Sequence, residues 1–287
     1  MSASRRVASV VGLGLLALGL LAGTAARAQE RLIMGVFPGV GQGEAEASEI
    51  LDRYLPLAEY LTAKTGTKVL ISPVKIPGRA MQEMVEGRSI YKLFFGPPVF
   101  ASEAIQKAGY LNVVVEQDRF RAVFVVKVEN KVQNFRDFLA TTRIAMPTQK
   151  LLLAVLANET LAQENVSLKQ DARQYITSTD AITLALDSGI ADVAVFRDRI
   201  AEKLLKDKPA RYRIVGKTVD APGFALIAHK SVPETMRAKL RQAALALNKD
   251  GSALAVEVRA GLKTSPFVAG KDDEFQALER MMMRWAH

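Results

Sequence analysis

From residue 31 onward one local pattern recurs. A short, almost unbroken apolar run is followed by a glycine-bearing or polar break, then by a stretch whose apolar residues return every three or four positions. Runs of the first kind, too short for helices, read as strands buried on both faces, and the second kind reads as amphipathic helices. Strands are predicted at residues 32–36, 69–71, 93–95 and 113–115. Between them lie a helix with Ile50, Tyr54, Leu57, Ala58 and Leu61 on one face, a helix over 78–86, and a helix carrying Phe100, Ala104, Ile105 and Ala108. Such alternation implies an α/β protein with parallel sheets covered on both sides.

The pattern then repeats. Residues 120–128 read as one long strand, 134–140 as a helix, and 143–146 as a strand that Pro147 ends before a Leu-rich helix. "STDAITLALDSG" reads as a helix started by Ser178 or Thr179 and ended by Gly189. A strand over 191–196 leads into a helix reaching Lys206, and strands over 213–215 and 225–228 flank "DAPG". Met236, Leu240, Ala243, Ala244 and Leu247 mark a long helix, with two more after it. The length suits two compact lobes better than one core.

The first 28 residues stand apart. Arg5 and Arg6 precede an apolar run and then Ala26-Arg27-Ala28, the pattern of a cleavable secretory signal. The arginine pair resembles a twin-arginine signal without the residues that normally follow, which favours the general export route and a periplasmic product. The formal net charge of +9 falls to +6 once the three arginines of this segment are removed. The remaining charges are scattered, which suits attraction of small anions and speaks against a nucleic-acid footprint.

The chain has no cysteine and two histidines, His229 and His287. That excludes a thiolate nucleophile and leaves no metal or cofactor set. H-E-x-x-H, G-x-S-x-G and Walker sequences are absent, so an enzyme is not expected. "PGVGQG" spaces its glycines as G-x-G-x-G, unlike a dinucleotide loop, and reads as a cleft-edge loop. Met281, Met282 and Met283 are soft metal ligands by chemistry, but with Phe275, Leu278 and Trp285 at helical spacing they read as a packed terminal helix.

One junction carries the functional question. Thr148, Gln149 and Lys150 stand between Pro147 and the Leu-rich helix. Thr148 is a good helix cap. The same place is a seat for an anion, because the first amides of a helix are unpaired and partly positive. Lys150 adds a full charge. Arg119 and Arg121 flank the long strand, and arginine is the best bidentate partner of an oxyanion. Asp192, at a strand start, reads as a structural cap, as the partner of a basic residue, or as an acceptor of a proton from a protonated oxyanion.

The order of elements resembles the periplasmic solute-binding proteins of ABC importers, in their phosphate, phosphite and phosphonate branch. "GVFP", "YLPLAEYLTAKTGTKV", "FFGPPVFASEA", "VQNFRDFLATTRIAMP", "SGIADVAVF" and "RYRIVGKTVDAPGFALIAHKSVP" carry the likeness. It implies a type II periplasmic-binding fold, two α/β lobes joined by two crossover strands. Lobe 1 takes residues 29–118 plus 222–287 and lobe 2 takes 119–221. It also implies that Phe37, Gly96, Phe100, Ser178 and Thr179 face the cleft beside Thr148, Gln149, Lys150, Arg121 and Asp192. The family's Ser-Thr-Ser-Gly run is replaced here by Thr148-Gln149-Lys150-Leu151, and its Ser-His-Asp by Ser178-Thr179-Asp180. The resemblance implies a monomer that captures a phosphate- or phosphonate-like oxyanion for an ABC permease. An organic carboxylate or sulfonate ligand, or presentation of the closed form to a receptor kinase, stays open.

Overall fold

The computed structural model describes residues 31–38, 47–262 and 266–286. The signal-like segment 1–28, the loop from Gly39 to Gly43 and His287 lie outside the described residues. The chain opens with β1 (Arg31–Val36), α1 (Ala47–Thr65), β2 (Lys68–Pro73), α2 (Pro77–Val85), β3 (Leu93–Gly96), α3 (Pro98–Lys107) and β4 (Tyr110–Glu116). It crosses to β5 (Ala122–Lys127), β6 (Ile144–Pro147), α4 (Leu152–Gln163), β7 (Arg173–Ile176), α5 (Thr179–Asp187), β8 (Val193–Arg197), α6 (Asp198–Asp207) and β9 (Tyr212–Lys217). It then returns through β10 (Ala225–His229), α7 (Glu234–Ala246), α8 (Ala253–Leu262), β11 (Phe267–Val268) and α9 (Asp272–Trp285).

Two sheets result, in the orders β11-β4-β10-β3-β1-β2 and β7-β6-β8-β5-β9. They are mixed, where uniformly parallel sheets were expected. β1 runs parallel to β2 and β3, but β10 runs antiparallel between β3 and β4. In the second sheet β6 is parallel to β7 and β8, while β5 is antiparallel to β8 and β9. The crossovers are the cause. β10 enters its sheet with Ala225 opposite Gly96, where β3 ends, and β5 enters with Ala122 opposite Arg197, where β8 ends. A strand arriving at the edge where others finish has to run against them.

Both sheets are covered on two faces, because successive side chains alternate. In β3, Leu93 and Phe95 pack under α1, α7 and α8, while Phe94 turns to α2, α3 and Phe275 of α9. In β5, Phe124 and Val126 face α4, and Val123 and Val125 face α5 and α6. Each such side chain, fully buried, contributes about 1.5–3 kcal/mol.

Two local expectations change. The helix over 134–140 is a single 3-10 turn, Phe135–Asp137, whose capping box joins Asn134 and Asp137. Phe135 and Phe138 press edge-on against Phe124 at 4.9 and 6.1 Å, and the chain extends at Phe138 instead of coiling on. The long strand over 120–128 shortens to β5, because Phe120 pairs across to Ala221 in the second crossover instead of with the sheet.

α9 belongs to both lobes. Its first half is held by lobe 1, with Ser102 Oγ donating to the Phe275 carbonyl at 2.7 Å. Its second half lies on α4, with Leu278 buried against Leu156 and Ala221. Met281 and Met282 pack there too, whereas Met283 is exposed.

Candidate functional site

In open α/β sheets ligands bind beyond the carboxyl ends of the strands. Here those ends are Val36, Gly96 and Glu116 in one sheet and Pro147, Ile176 and Arg197 in the other, with the crossovers 117–121 and 218–224 between them.

On the first lobe, β3 stops at Gly96, where an added Cβ would stand 2.7 Å from the Phe94 ring and 3.2 Å from the Phe37 carbonyl oxygen. The absence of a side chain there lets the Phe94 ring and the Phe37 backbone close in where the chain passes into Pro97 and α3. Phe100 stacks on Phe94 with ring centroids 4.0 Å apart and meets Phe37 at 6.5 Å. Phe100 is buried, so its first duty is packing; Phe37 is the half-buried outer ring of the three.

On the second lobe the junction after β6 differs from expectation. Thr148 does not cap the helix. The Leu151 amide donates to the Thr148 carbonyl at 2.8 Å, and α4 starts only at Leu152, with Leu151 as a cap that offers no side-chain oxygen. Thr148 and Lys150 are exposed at the carboxyl edge. Gln149 turns sideways, its Nε2 donating to the Trp285 carbonyl at 3.4 Å. Ser178 does cap α5, accepting from the Ala181 amide at 3.2 Å, and Gly189, at a φ of +74°, lets the chain leave that helix in the left-handed conformation. Ser178 and Thr179 are both exposed.

Asp192 lies at the opposite end of the sheet from this edge. It accepts from Arg143 N, Nε and Nη2 at 2.9, 3.1 and 2.7 Å, joining the amino ends of β8 and β6. Partial burial works against its charge, yet the Arg143 hydrogen bonds hold its carboxyl below the usual range. Its role is to lock two strands at their amino ends. Arg121 is at the edge but committed: its Nε and Nη2 form a fork on Asp220 at 2.5 and 2.7 Å, joining one crossover to the other. Arg119 adds an ion pair to Glu274 of α9 at 3.0 Å.

The residue that sequence reading missed is Arg197. It ends β8, caps α6 with backbone only, and sits between the lobes. Its guanidinium carbon stands 4.1 Å over the Phe120 ring, and its Nη2 lies 3.5 Å from Asp118. Its Nε is buried and has no hydrogen-bond partner, Asp198 Oδ1 standing off at 4.0 Å. Burial and the neighbouring Arg199 push its pKa down, against the pull of Asp118, Asp198 and Glu116. Arg199 pairs with Asp118 as well. Glu116 lies buried at the end of β4, and burial, reinforced by Asp118, pushes its carboxyl up to about 7. The signal for Arg197 was available: a lone cation closing an apolar strand, in the place where the carboxyl-end rule puts a ligand.

Among the described residues no three His, Asp or Glu side chains gather as a metal ion would require. No described helix is long and apolar enough to cross a membrane.

Over residues 44–275 the sequence matches the family model of the ABC-transporter phosphonate periplasmic substrate-binding proteins. The chain belongs to this family. Its members are binding proteins rather than enzymes, and no individual curated protein matches the chain. Solved structures of similar fold include a Xanthomonas citri protein bound to ATP, with a TM-score of 0.65 at 13% identity, covering 88% of this chain and 97% of that one. PhnD1 from Prochlorococcus marinus, in complex with methylphosphonate, gives 0.60 at 15%, over 88% and 97%. The periplasmic aliphatic sulphonate binding protein SsuA from Escherichia coli gives 0.55 at 13%, over 89% and 91%. The two-lobed, type II periplasmic-binding fold that the sequence implied is therefore the fold of this family member.

Proposed function

We propose that the chain is exported through residues 1–28 and captures a small anion between its lobes, for delivery to the membrane permease of an ABC importer. The lobes are 29–118 with 222–287, and 119–221, a division supported by the membership of the two sheets.

The observation that carries the anion is Arg197. A buried guanidinium N–H with no acceptor within hydrogen-bond reach costs about 1–3 kcal/mol, more for a charged group, and an oxyanion placed against it removes that cost. Exposed Thr148, Lys150, Ser178 and Thr179 follow the carboxyl ends of β6 and β7, and Phe37 and Gly96 lie at the carboxyl ends of β1 and β3, which supports a site shared by the two edges. Contacts made by both edges at once favour the closed arrangement. The structural relatives named for methylphosphonate, ATP and sulphonate all take anions, which agrees with this reading.

Thermal-shift screening of the mature protein against phosphate, phosphite, methylphosphonate, alkyl sulfonates and small carboxylates tests it. A true ligand at a hundred times its Kd stabilises by about 2.7 kcal/mol. Arg197→Met weakens that ligand about ten- to a hundredfold, the effect of losing one charged hydrogen-bonding partner. No response to any anion, or an unchanged affinity in Arg197→Met, overturns the assignment.

A further inference from the structure

A groove on the flank of lobe 2 has the makings of a second site. Its cavity of about 280 Å³ is lined by Gln149, Asn158, Gln170, Arg173, Tyr175 and Trp285. An adjoining cavity of about 290 Å³ shares Asn158, Arg173 and Trp285. The groove runs beside β7, the outermost strand of its sheet, with β6 and β8 between it and the strand that the first crossover enters. Gln149 brings one end of it to the carboxyl edge and Trp285 comes from α9, while Asn158, Gln170 and Arg173 carry it along the flank of β7, away from Arg197.

Asn158 is the anomaly that points to a ligand. It is 3% exposed, on a helix whose other buried residues are apolar apart from Glu159 and Thr160, and its Oδ1 has no hydrogen-bond partner. Its Nδ2 donates to the Tyr175 hydroxyl at 3.2 Å. Turning the amide over does not cure the deficit: Oδ1 would then accept from Tyr175 and Nδ2 would be stranded. Buried polar atoms are rarely left so, and this one requires a donor from outside the chain.

Those groups define the chemistry. Arg173 donates one N–H to the Leu168 carbonyl at 3.3 Å and, among the described residues, has no carboxylate partner, and no described acid lines either cavity. Glu159, next to Asn158 in the chain, is taken by Trp285 and Arg284, and Asp171, two residues before Arg173, lines neither cavity. An unneutralised planar cation calls for a carboxylate. The stranded Asn158 oxygen calls for a hydroxyl donor. The Trp285 indole, its own N–H occupied, leaves ring surface for an apolar face, and Gln149 and Gln170 add amides for further hydroxyls.

We infer that this groove binds a small hydroxylated carboxylate of the sugar-acid kind, its carboxylate on Arg173 and a hydroxyl on Asn158. Trp285 is the sole tryptophan of the chain, so intrinsic fluorescence reads the groove directly. Glucuronate titrated into the full mature protein is expected to change that fluorescence saturably, with glucose, which lacks the charge, and acetate, which lacks the hydroxyls, at least about tenfold weaker. Arg173→Met, at a half-buried position, and Asn158→Leu, of similar shape, are each expected to weaken glucuronate at least about tenfold, while Arg197→Met leaves it unchanged. The inference is overturned by no fluorescence change up to about 1 mM, by an effect that survives Arg173→Met, or by one lost in Arg197→Met, which would place the ligand between the lobes. Should Asn158→Leu fail to fold, Arg173→Met decides alone.

Discussion

The indole Nε1 of Trp285 donates to the Glu159 carboxylate at 2.7 Å, and so fastens the end of a helix rooted in lobe 1 to the middle of α4 in lobe 2. Arg284 reaches the same carboxylate at 3.1 and 3.2 Å, and Leu278 fills the space beneath against Leu156. The two lobes are therefore joined by a third contact, beside the two crossovers. Lobe opening has to either carry α9 along or release it.

Trp285→Phe keeps the ring but removes the donor. It is expected to destabilise by about 1.5–3 kcal/mol, the range for a hydrogen bond to a charged group. Hydrogen exchange should quicken in the last turn of α9 and along α4, while α1 keeps its protection. Uniform change across both lobes, or none at α4, would show that the contact does not hold the lobes.

The Arg121–Asp220 fork makes a pH signature. Hydrogen bonds from Arg121 depress the Asp220 carboxyl, so its contribution is complete above the ordinary aspartate pKa, about 3.9, and is lost as pH falls through the lower folded value. Stability of the wild type should therefore drop below about pH 4. Asp220→Asn is expected to be less stable at neutral pH and to show a shallower acid limb in urea titrations. An unchanged acid limb would remove the fork from the stability balance.

Glu116 behaves in the opposite sense. Burial raises its folded pKa to about 7 from the ordinary 4.5, so the native state holds a proton that the unfolded chain has released. Its stabilising effect is complete below about pH 4.5 and is lost as pH climbs to about 7, a difference on the order of 3 kcal/mol. Glu116→Gln should flatten stability over that window and be the more stable protein at pH 8. Because Asp118, Arg197 and Arg199 surround this carboxyl, its ionisation also adds negative charge where an anion would bind. Anion affinity should fall as pH rises through about 7 in the wild type, and less so in Glu116→Gln.

What the sequence showed and what it hid follow from the physics of each residue. Leu93, Phe94 and Phe95 announce a doubly buried strand because burial on both faces demands apolar residues at every position. Arg173–Ile176 went unread, since an edge strand of partly exposed, mixed residues has no periodicity to detect. Ser178 and Gly189 mark their helix because capping is local in sequence. Thr148 misled for the same reason: its type suits a cap, but a turn closing on its own carbonyl delays α4 to Leu152. Contacts that cross the chain leave no local trace. Arg197 over Phe120 and Trp285 against Glu159 join segments that only the crossovers and α9 bring together.

The crossovers also make the sharpest mutational prediction. Gly223 lies where the returning chain passes the outgoing one, and a Cβ there would sit 2.4 Å from the Asp118 carbonyl oxygen and 2.6 Å from that of Glu116. Both are backbone atoms of the neighbouring segment, so no rotamer change relieves the clash; one crossover has to move away from the other. Gly223→Ala is expected to destabilise by about 1–3 kcal/mol, the usual cost of overpacking. The displacement would also separate Asp118 from Arg197 and Arg199, which sit on lobe 2. Anion affinity should therefore change together with the urea midpoint. Gly189→Ala serves as the control: open space surrounds that Cβ, its cost is confined to the backbone at a φ of +74°, and anion affinity should stay as in the wild type. Equal stability of Gly223→Ala and the parent would mean that the two crossovers are not packed as tightly as these distances require.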